Sequence, residues 1–294
     1  MKPILPLLFL LATGLAAVPA RAEVVSGLYE VELPAADKGQ ATRKQALLNA
    51  FRSVLVKVSG YSGVLDDPAV SEAVANVDRY AQQFRYRKRT AGDPYDFWVR
   101  FDRSGVERLL RDHNLPVWGQ ARPTMLIWLA VEENGARRLV GTGDANYAPL
   151  LQARGAARGI PLRLPLLDLK DRSQISPSDI WGDFRGAVLS ASERYNAQAV
   201  LTGRLRRGLT GAWRVRWALY GQGKPVRWED SGRNLQRVLA AGVDEGVDTI
   251  ALRYTRSRGD ADESAIQLRV ENISNMQDYS RALSYLRAVN GVAG

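Results

Sequence analysis

The sequence comprises 294 residues, of which 46% are hydrophobic and 24% are charged, and its formal net charge is +10. This length and composition can form one large core or two ordinary ones, and the seven tryptophans argue against a disordered chain. The sequence contains no cysteine, which excludes disulfides, a thiol nucleophile, thiolate metal sites and a lipid-modified N-terminal cysteine.

The first 22 residues have the pattern of a secretory signal peptide. Lys2 supplies a positive start, residues 4–18 are apolar, and small residues stand at Ala20 and Ala22, the cleavage-determining positions. The apolar segment is shorter than the roughly 20 residues that a membrane span requires. We therefore expect export to the periplasm, cleavage after Ala22 and a mature chain without a transmembrane span.

Residues 23–118 are predicted to form an N-terminal α+β domain. Its clearest element is an amphipathic helix over Arg43–Val58, which ends at Gly60. The other predicted elements are a strand within Glu23–Leu33, a helix from Pro68 to about Gln83, a hairpin of Phe84–Arg89 with Tyr95–Asp102, and a helix over Ser104–Asp112.

The hairpin interleaves aromatic and basic residues, a composition that also occurs in sites for single-stranded nucleic acid. We favour a structural interpretation, in which Phe84 and Tyr86 share a core face with rings of the partner strand. The arginines then pair with Asp96 and Asp102 on the outer face. The export signal also argues against nucleic acid as a partner.

Residues 119–258 are predicted to form an α/β domain around the stretch Ser176–Arg206, a helix followed directly by a buried strand. The apolar face of that helix is expected to carry Phe184, Val188, Ala191 and Tyr195. Strands Trp213–Tyr220 and Val226–Glu229 complete a three-stranded meander with one apolar face for the helix. The remaining elements are a hairpin from Met125 through Val140, a helix over Asn146–Arg158, an edge strand within Ile160–Leu167, and a helix over Asn234–Arg253.

Residues 259–294 are predicted to be a polar linker and a strand–helix unit, with the strand at Ala265–Val270 and the helix at Asn275–Val289. One strand and one helix cannot enclose a core, so the unit either docks on another domain or opens a third module. The predicted fold class is α+β / α/β: two sandwich-like domains with helices packed on mixed sheets, followed by a short C-terminal strand–helix unit.

No catalytic, cofactor-binding or metal site is predicted. The single histidine, His113, stands at a predicted helix end, where it can cap the last carbonyls. The Gly141–Gly143 turn lacks the third glycine of a dinucleotide-binding loop. Acidic residues from Asp260 to Glu271 have the spacing of a calcium loop, but Ala265 replaces the glycine that the loop requires. Aspartates at predicted helix starts are interpreted as caps: Asp66, Asp67, Asp144, Asp179 and Asp183.

One candidate interaction face remains. Alternation along the meander strands would bring five arginines to one face of a sheet, away from the helices: Arg204, Arg206, Arg214, Arg216 and Arg227. The competing interpretation is a solvated outer face, where charged residues are the rule.

Several segments resemble an exported gammaproteobacterial family catalogued as domain of unknown function 2066. They are RKQALLNAFRSVLVKVSG, DIWGDF, YNAQAVLTGRL, WRVRW and GVDEGVDTIALRY, and the resemblance covers most of the mature chain. It implies an exported envelope protein with no established activity. Ala197–Glu229 is also similar, more distantly, to the small α/β module of TolB-type N-terminal domains and penicillin-binding-protein activators. That similarity implies binding to other envelope proteins and transfers no site residues.

These observations lead to three hypotheses of function. The first is a non-enzymatic interaction or scaffold protein of the envelope, with another envelope protein as partner and no cofactor. The second is a binder of an anionic envelope surface, such as a lipid headgroup, lipopolysaccharide or cell-wall polymer, through the basic sheet face. The third is a hydrolase whose dispersed carboxylates pair in a cleft with raised pKa values.

Overall fold

The computed structural model describes residues 22–90, 92–209, 211–259, 270–271 and 273–288. The fold is mixed α+β, with helices packed on several sheets, which confirms the predicted fold class. Most of the predicted signal peptide and residues 265–269 of the predicted C-terminal strand lie outside the described residues.

The strands are β1 (Glu23–Val24), β2 (Glu30–Ala35), β3 (Ala81–Lys88), β4 (Tyr95–Phe101), β5 (Ala121–Arg122), β6 (Met125–Glu133), β7 (Ala136–Val140), β8 (Leu162–Arg163), β9 (Ala199–Arg207), β10 (Trp213–Tyr220) and β11 (Val226–Gly232). The helices are α1 (Gln40–Ser59), α2 (Pro68–Ala75), α3 (Arg103–Asp112), α4 (Ala148–Arg158), α5 (Leu169–Gln174), α6 (Pro177–Trp181), α7 (Arg185–Ser192), α8 (Leu235–Gly259) and α9 (Met276–Ala288).

The N-terminal sheet has the strand order β2-β4-β3 and carries α1 on its apolar face. The predicted stripe of α1 is buried, and Gly60 ends the helix in the left-handed conformation with φ 74°. The predicted hairpin is confirmed, with Phe84 opposite Val99 and Tyr86 opposite Phe97. Tyr86 packs against the core as predicted, but Phe84, on the edge strand, is 44% exposed. On the outer face, Arg87 and Arg89 pair with Asp96 as predicted. Asp102 does not pair with an arginine there, because its carboxylate accepts from the Gly105 amide and caps α3.

Two predicted elements of this region were wrong. The segment Glu23–Leu33 is two strands, because the chain turns at Gly27 with φ 67° and β1 pairs with the distant strand β5. The second helix ends at Ala75 rather than near Gln83. A 3-10 turn at Val77–Arg79 follows. From Ala81 the main chain belongs to β3 and forms its hydrogen bonds with β4 instead of continuing the helix.

The central sheet has the strand order β11-β10-β9-β6-β7, with β8 also beside β6. Strand β6 runs parallel to β8 and β9 and antiparallel to β7. Its first seven residues are all buried, as expected for a strand covered on both faces. Alternate residues therefore point into two cores: Ile127 and Leu129 face α4 and α8, whereas Leu126 and Trp128 face α6 and α7.

The helical part of the Ser176–Arg206 unit also differs from prediction. It consists of α6 and α7, separated at Gly182 and Asp183, and Asp183 adopts a left-handed conformation with φ 59°. Val188 and Ala191 pack against the Leu126 and Trp128 side of the sheet, whereas Phe184 is exposed. The apolar face of the meander, containing Val215, Trp217 and Leu219, is instead covered by α8. Helix α5 was not predicted.

Two buried arginines join the N-terminal region to the central sheet. Arg122 donates to the carbonyl oxygens at the ends of α1 and α4, including Lys57 at 2.6 Å and Gly159 at 2.9 Å. Arg158 donates to the Gly60 carbonyl at 2.8 Å and forms an ion pair with Asp248 of α8. Both side chains are almost completely buried. This cluster, which we call the arginine joint, fixes three helices against one another.

Helix α9 confirms the helix predicted at Asn275–Val289. Met276 and Tyr279 of this helix are exposed. Within the described ranges, no helix combines the length and the apolar character needed to cross a bilayer.

Candidate interaction face

Six arginines lie on one face of the central sheet. We call this set the arginine face: Arg137, Arg204, Arg206, Arg214, Arg216 and Arg227. The five predicted residues are among them, and Arg137 of β7 joins them. The Asn134-Gly135 turn sets Arg137 opposite Glu132, and the pairing of β6 with β9 then brings both residues beside Arg206.

The strand register arranges this face in two cross-strand rows. The outer row runs from Arg137 through Glu132, Arg206 and Arg214 to Ser231. The inner row runs from Leu139 through Ala130, Arg204 and Arg216 to Glu229. Arginines therefore stand directly opposite arginines on β9 and β10. Like charges in such positions repel each other, so the arrangement costs stability unless anions compensate it.

Glu229 compensates part of this charge. Its carboxylate accepts from Arg216 at 2.7 Å and lies 3.2 Å from Arg214. The hydrogen bond from Arg216 is the main reason that the pKa of Glu229 lies below its usual range. The side chains of Arg214 and Arg216 nevertheless remain about half exposed, at 51% and 58%.

Asp183 compensates Arg227 at the other side of the face. Its carboxylate accepts from Arg227 at 2.9 Å and from the hydroxyl of Tyr220. Burial alone would raise the pKa of Asp183, but these two hydrogen bonds lower it overall. Burial, followed by the bond to Asp183, raises the pKa of Tyr220 to about 12. Asp183 was predicted to be a helix cap, and that prediction was wrong, because its partners are on β10 and β11.

The face is not free of helices, contrary to prediction. Arg204 donates to the Trp181 carbonyl of α6 at 2.9 Å, and the guanidinium of Arg137 lies 4.2 Å from the centre of the Trp181 ring. The reason is that α6 and α7 pack on the same side of the sheet as the arginines. These helices cover the part near Trp128 and reach Arg204 and Arg137, whereas Arg206, Arg214 and Arg216 lie beyond them and are exposed.

Residues 22–119 match a domain of unknown function, DUF8605. This match confirms an uncharacterised-domain family for the N-terminal region. It carries a different number from the family that the sequence resembles, and it does not extend over most of the mature chain. The comparison with curated proteins finds no match.

Solved structures give low similarity scores. The C-terminal domain of LpoB from Salmonella enterica has 18% identity and a TM-score of 0.27, over 38% of this chain and 83% of that domain. The N-terminal domain of Protein Y from Thermus thermophilus has 13% identity and a TM-score of 0.21, over 46% of this chain and 94% of that domain. A formyltetrahydrofolate deformylase from Pseudomonas putida has 13% identity and a TM-score of 0.19, over 66% of this chain and 89% of that enzyme. At these TM-scores the similarities support no conclusion about this protein.

Most of the other polar candidates have structural roles in the protein. Asp67 and Asp144 accept main-chain amide hydrogen bonds at the starts of their helices, and Asp179 forms a capping box with Ser176. His113 stands at the C-terminal end of α3, where its main-chain N–H donates to the Arg111 carbonyl. Among the described residues, no group of three His, Cys, Asp or Glu side chains could hold a metal ion. Asp260, the first residue of the calcium-loop spacing, lies outside them.

Asp230 is a carboxylate with an unusual environment. Its Oδ2 atom is buried without a hydrogen-bond partner among the described residues, as are the indole nitrogens of Trp217 and Trp228. Burial raises the pKa of Asp230 above its usual range. The acidic neighbour Asp244 is bound by Arg154 and Arg158. This arrangement differs from the pair of raised carboxylates that the hydrolase hypothesis requires.

Proposed function

We propose that this protein is an exported, non-enzymatic interaction protein of the cell envelope, and that the arginine face docks on an anionic surface. Export is supported by the signal-peptide pattern of the first 22 residues. Docking is supported by the two arginine rows of the central sheet. The two rows contain five guanidinium groups and only two carboxylates, those of Glu132 and Glu229.

The N-terminal sheet provides an internal comparison, because its outer face is also charged. There Arg87 pairs with Glu32 and Asp96, and Arg100 pairs with Glu30. That face is nearly balanced in charge, as expected of a solvated sheet surface. The arginine face has an excess of cations instead. An incoming anionic surface would relieve the repulsion between Arg206 and Arg214, which gives the binding its driving force.

Photocrosslinking in cells tests the proposal. A photoreactive amino acid replaces Arg206 or Arg214 in the full chain, and Arg87 on the balanced face is the matched control position. We expect adducts at 206 and 214 that diminish when Arg216→Gln is added, and few at 87. Equal yields at all three positions, or none at 206 and 214, would contradict docking through this face.

A further inference from the structure

The hairpin between β9 and β10 ends in an uncharged tip at the edge of the arginine face. No charged residue occurs between Arg207 and Arg214, whereas arginines follow one another on both sides of this gap. Between Glu193 and Glu229 the sequence has eight Arg or Lys residues and no acidic residue. The tip, residues 208–213, is therefore an uncharged stretch within a strongly cationic segment.

Main-chain hydrogen bonds join the two sides of this tip, of which the structure describes residues 208–209 and 211–213. The Gly208 amide donates to the Ala212 carbonyl at 2.7 Å, and the Gly211 amide donates to the Gly208 carbonyl at 2.9 Å. Gly211 has φ 79°, a conformation that favours glycine. Leu209 stands at the apex with its side chain fully exposed. The turn thus holds an apolar side chain out in solvent, at a position where polar residues are usual.

Trp213 is the last residue of the tip and the first residue of β10. The Arg207 guanidinium lies 5.5 Å from the centre of its ring, and Arg207 Nε donates to the Gly211 carbonyl at 3.3 Å. Trp213 is only partly buried. Down the hairpin, the apolar apex is therefore followed by the Arg207–Trp213 pair and then, on the other face of the sheet, by the Arg206–Arg214 pair. This order of polarity matches the change across a membrane interface.

Exposure of a leucine is not sufficient evidence of a binding site, as a second exposed leucine of this chain shows. Leu169 is also largely exposed, at 86%. It stands between Asp168 and Lys170 at the start of α5, and Asp168 pairs with Arg194. Leu209 differs in its surroundings, because the charged residues that flank it are all cationic.

We infer that the tip of this hairpin contacts a bilayer of anionic phospholipids, with Leu209 inserted into the interface and Arg206, Arg207 and Arg214 bound to the headgroups. This inference rests on the proposed function and specifies its partner. An acidic protein surface would satisfy the arginines but would leave the apolar apex unexplained. A bilayer accepts both, and each arginine near an anionic leaflet strengthens binding by about five-fold.

A fluorescent label at position 209 tests insertion directly. The chain has no cysteine, so Leu209→Cys carries the only thiol and can be labelled with an environment-sensitive fluorophore. Leu169→Cys is the matched control. With equimolar phosphatidylglycerol and phosphatidylcholine vesicles, we expect a blue shift and quenching by nitroxide lipids at 209 but not at 169. A label at 209 that behaves like the label at 169 would overturn the inference.

Co-sedimentation with the same vesicles separates this inference from the proposed function. We expect Leu209→Ser to weaken binding about five-fold, Leu169→Ser to leave it unchanged, and Arg206→Gln with Arg214→Gln to weaken it about 20-fold. If the arginine variants weaken binding and Leu209→Ser does not, insertion is refuted while the arginine face stands. If vesicles do not bind but crosslinks reach a protein, the bilayer is refuted and docking is retained. If neither signal appears, both proposals fail.

Discussion

Arg122 and Lys57 are 65 residues apart in the sequence, yet the Arg122 Nη2 group donates a 2.6 Å hydrogen bond to the Lys57 carbonyl oxygen. The same guanidinium also donates to carbonyls of Trp118, Gly119, Arg158 and Gly159. Burial lowers the pKa of Arg122 to about 9, so the side chain remains charged at neutral pH. Main-chain carbonyls at two helix ends, where the helix dipole is negative, therefore stabilise a buried cation.

Replacing Arg122 by Met should reduce the free energy of unfolding by about 3–5 kcal/mol, because it leaves buried carbonyl oxygens without donors. Urea unfolding at neutral pH measures this change. Arg108→Met, at an exposed position of α3, is the control and should cost less than about 0.5 kcal/mol. A loss below about 1 kcal/mol for Arg122→Met would show that the arginine joint does not hold the two regions together.

Replacing two glycines of α8 by alanine should change the stability of the protein in opposite directions. A Cβ atom at Gly242 would overlap the Trp217 indole, whereas one at Gly246 would meet its nearest neighbour, Leu201, at 3.6 Å. Gly242→Ala should therefore destabilise the protein by at least about 2 kcal/mol through overpacking. Gly246→Ala should be neutral or stabilising by up to about 1 kcal/mol, because alanine is the better helix former. Thermal unfolding of both variants checks this, and equal effects would refute the packing of α8 on β10.

Asp230 should make the stability of the protein depend on pH. Its pKa is raised in the folded state, so its favourable contribution is complete at acidic pH and disappears as the pH rises through the folded-state value. Asp230→Asn mimics the protonated form. The variant should gain less than about 1 kcal/mol relative to the natural protein at neutral pH, since the group is partly exposed.

Urea unfolding from acidic to neutral pH measures this difference. The advantage of Asp230→Asn should shrink toward acidic pH, where the natural side chain is itself protonated. Leu169→Ser, an exposed change elsewhere, is the control and should shift stability equally at every pH. If the natural protein instead became more stable than Asp230→Asn as the pH rises, the ionised carboxylate would be stabilised in the fold.

Glu229→Gln should separate stability from binding on the arginine face. The ion pairs of Glu229 with Arg214 and Arg216 are half exposed, so their loss should change stability by less than about 0.5 kcal/mol. The same change removes an anion from the face and should strengthen binding to anionic vesicles several-fold. Glu32→Gln on the N-terminal sheet is the control. Unchanged vesicle binding by Glu229→Gln would argue against docking at this position.

Local patterns were sufficient for many elements of the fold. The apolar stripe of α1, its end at Gly60 and the hairpin turn at Asn134-Gly135 all follow from residues close together in the sequence. Errors occurred where a distant partner decides the structure. The pairing of β1 with β5 and the break between α6 and α7 at Asp183 both depend on residues far away in the chain.

The candidate site shows the same division. Alternation along β9, β10 and β11 was enough to bring Arg204, Arg206, Arg214, Arg216 and Arg227 to one face. Arg137 was missed because β7 reaches the face only through the parallel pairing of β6 with β9. Asp183 was interpreted as a cap because its partner Arg227 is 44 residues away.

The sequence by itself determined the periodic elements, the caps, the absence of thiol chemistry and the clustering of arginines around an uncharged hairpin tip, because each depends on spacing over a few residues. Only the tertiary structure decided which helices cover which face of the central sheet, and which arginines are buried. Arg122 and Arg214 cannot be distinguished by composition or spacing. The first binds helix-end carbonyls in the arginine joint and the second extends from an open sheet, because packing between distant elements controls access to water.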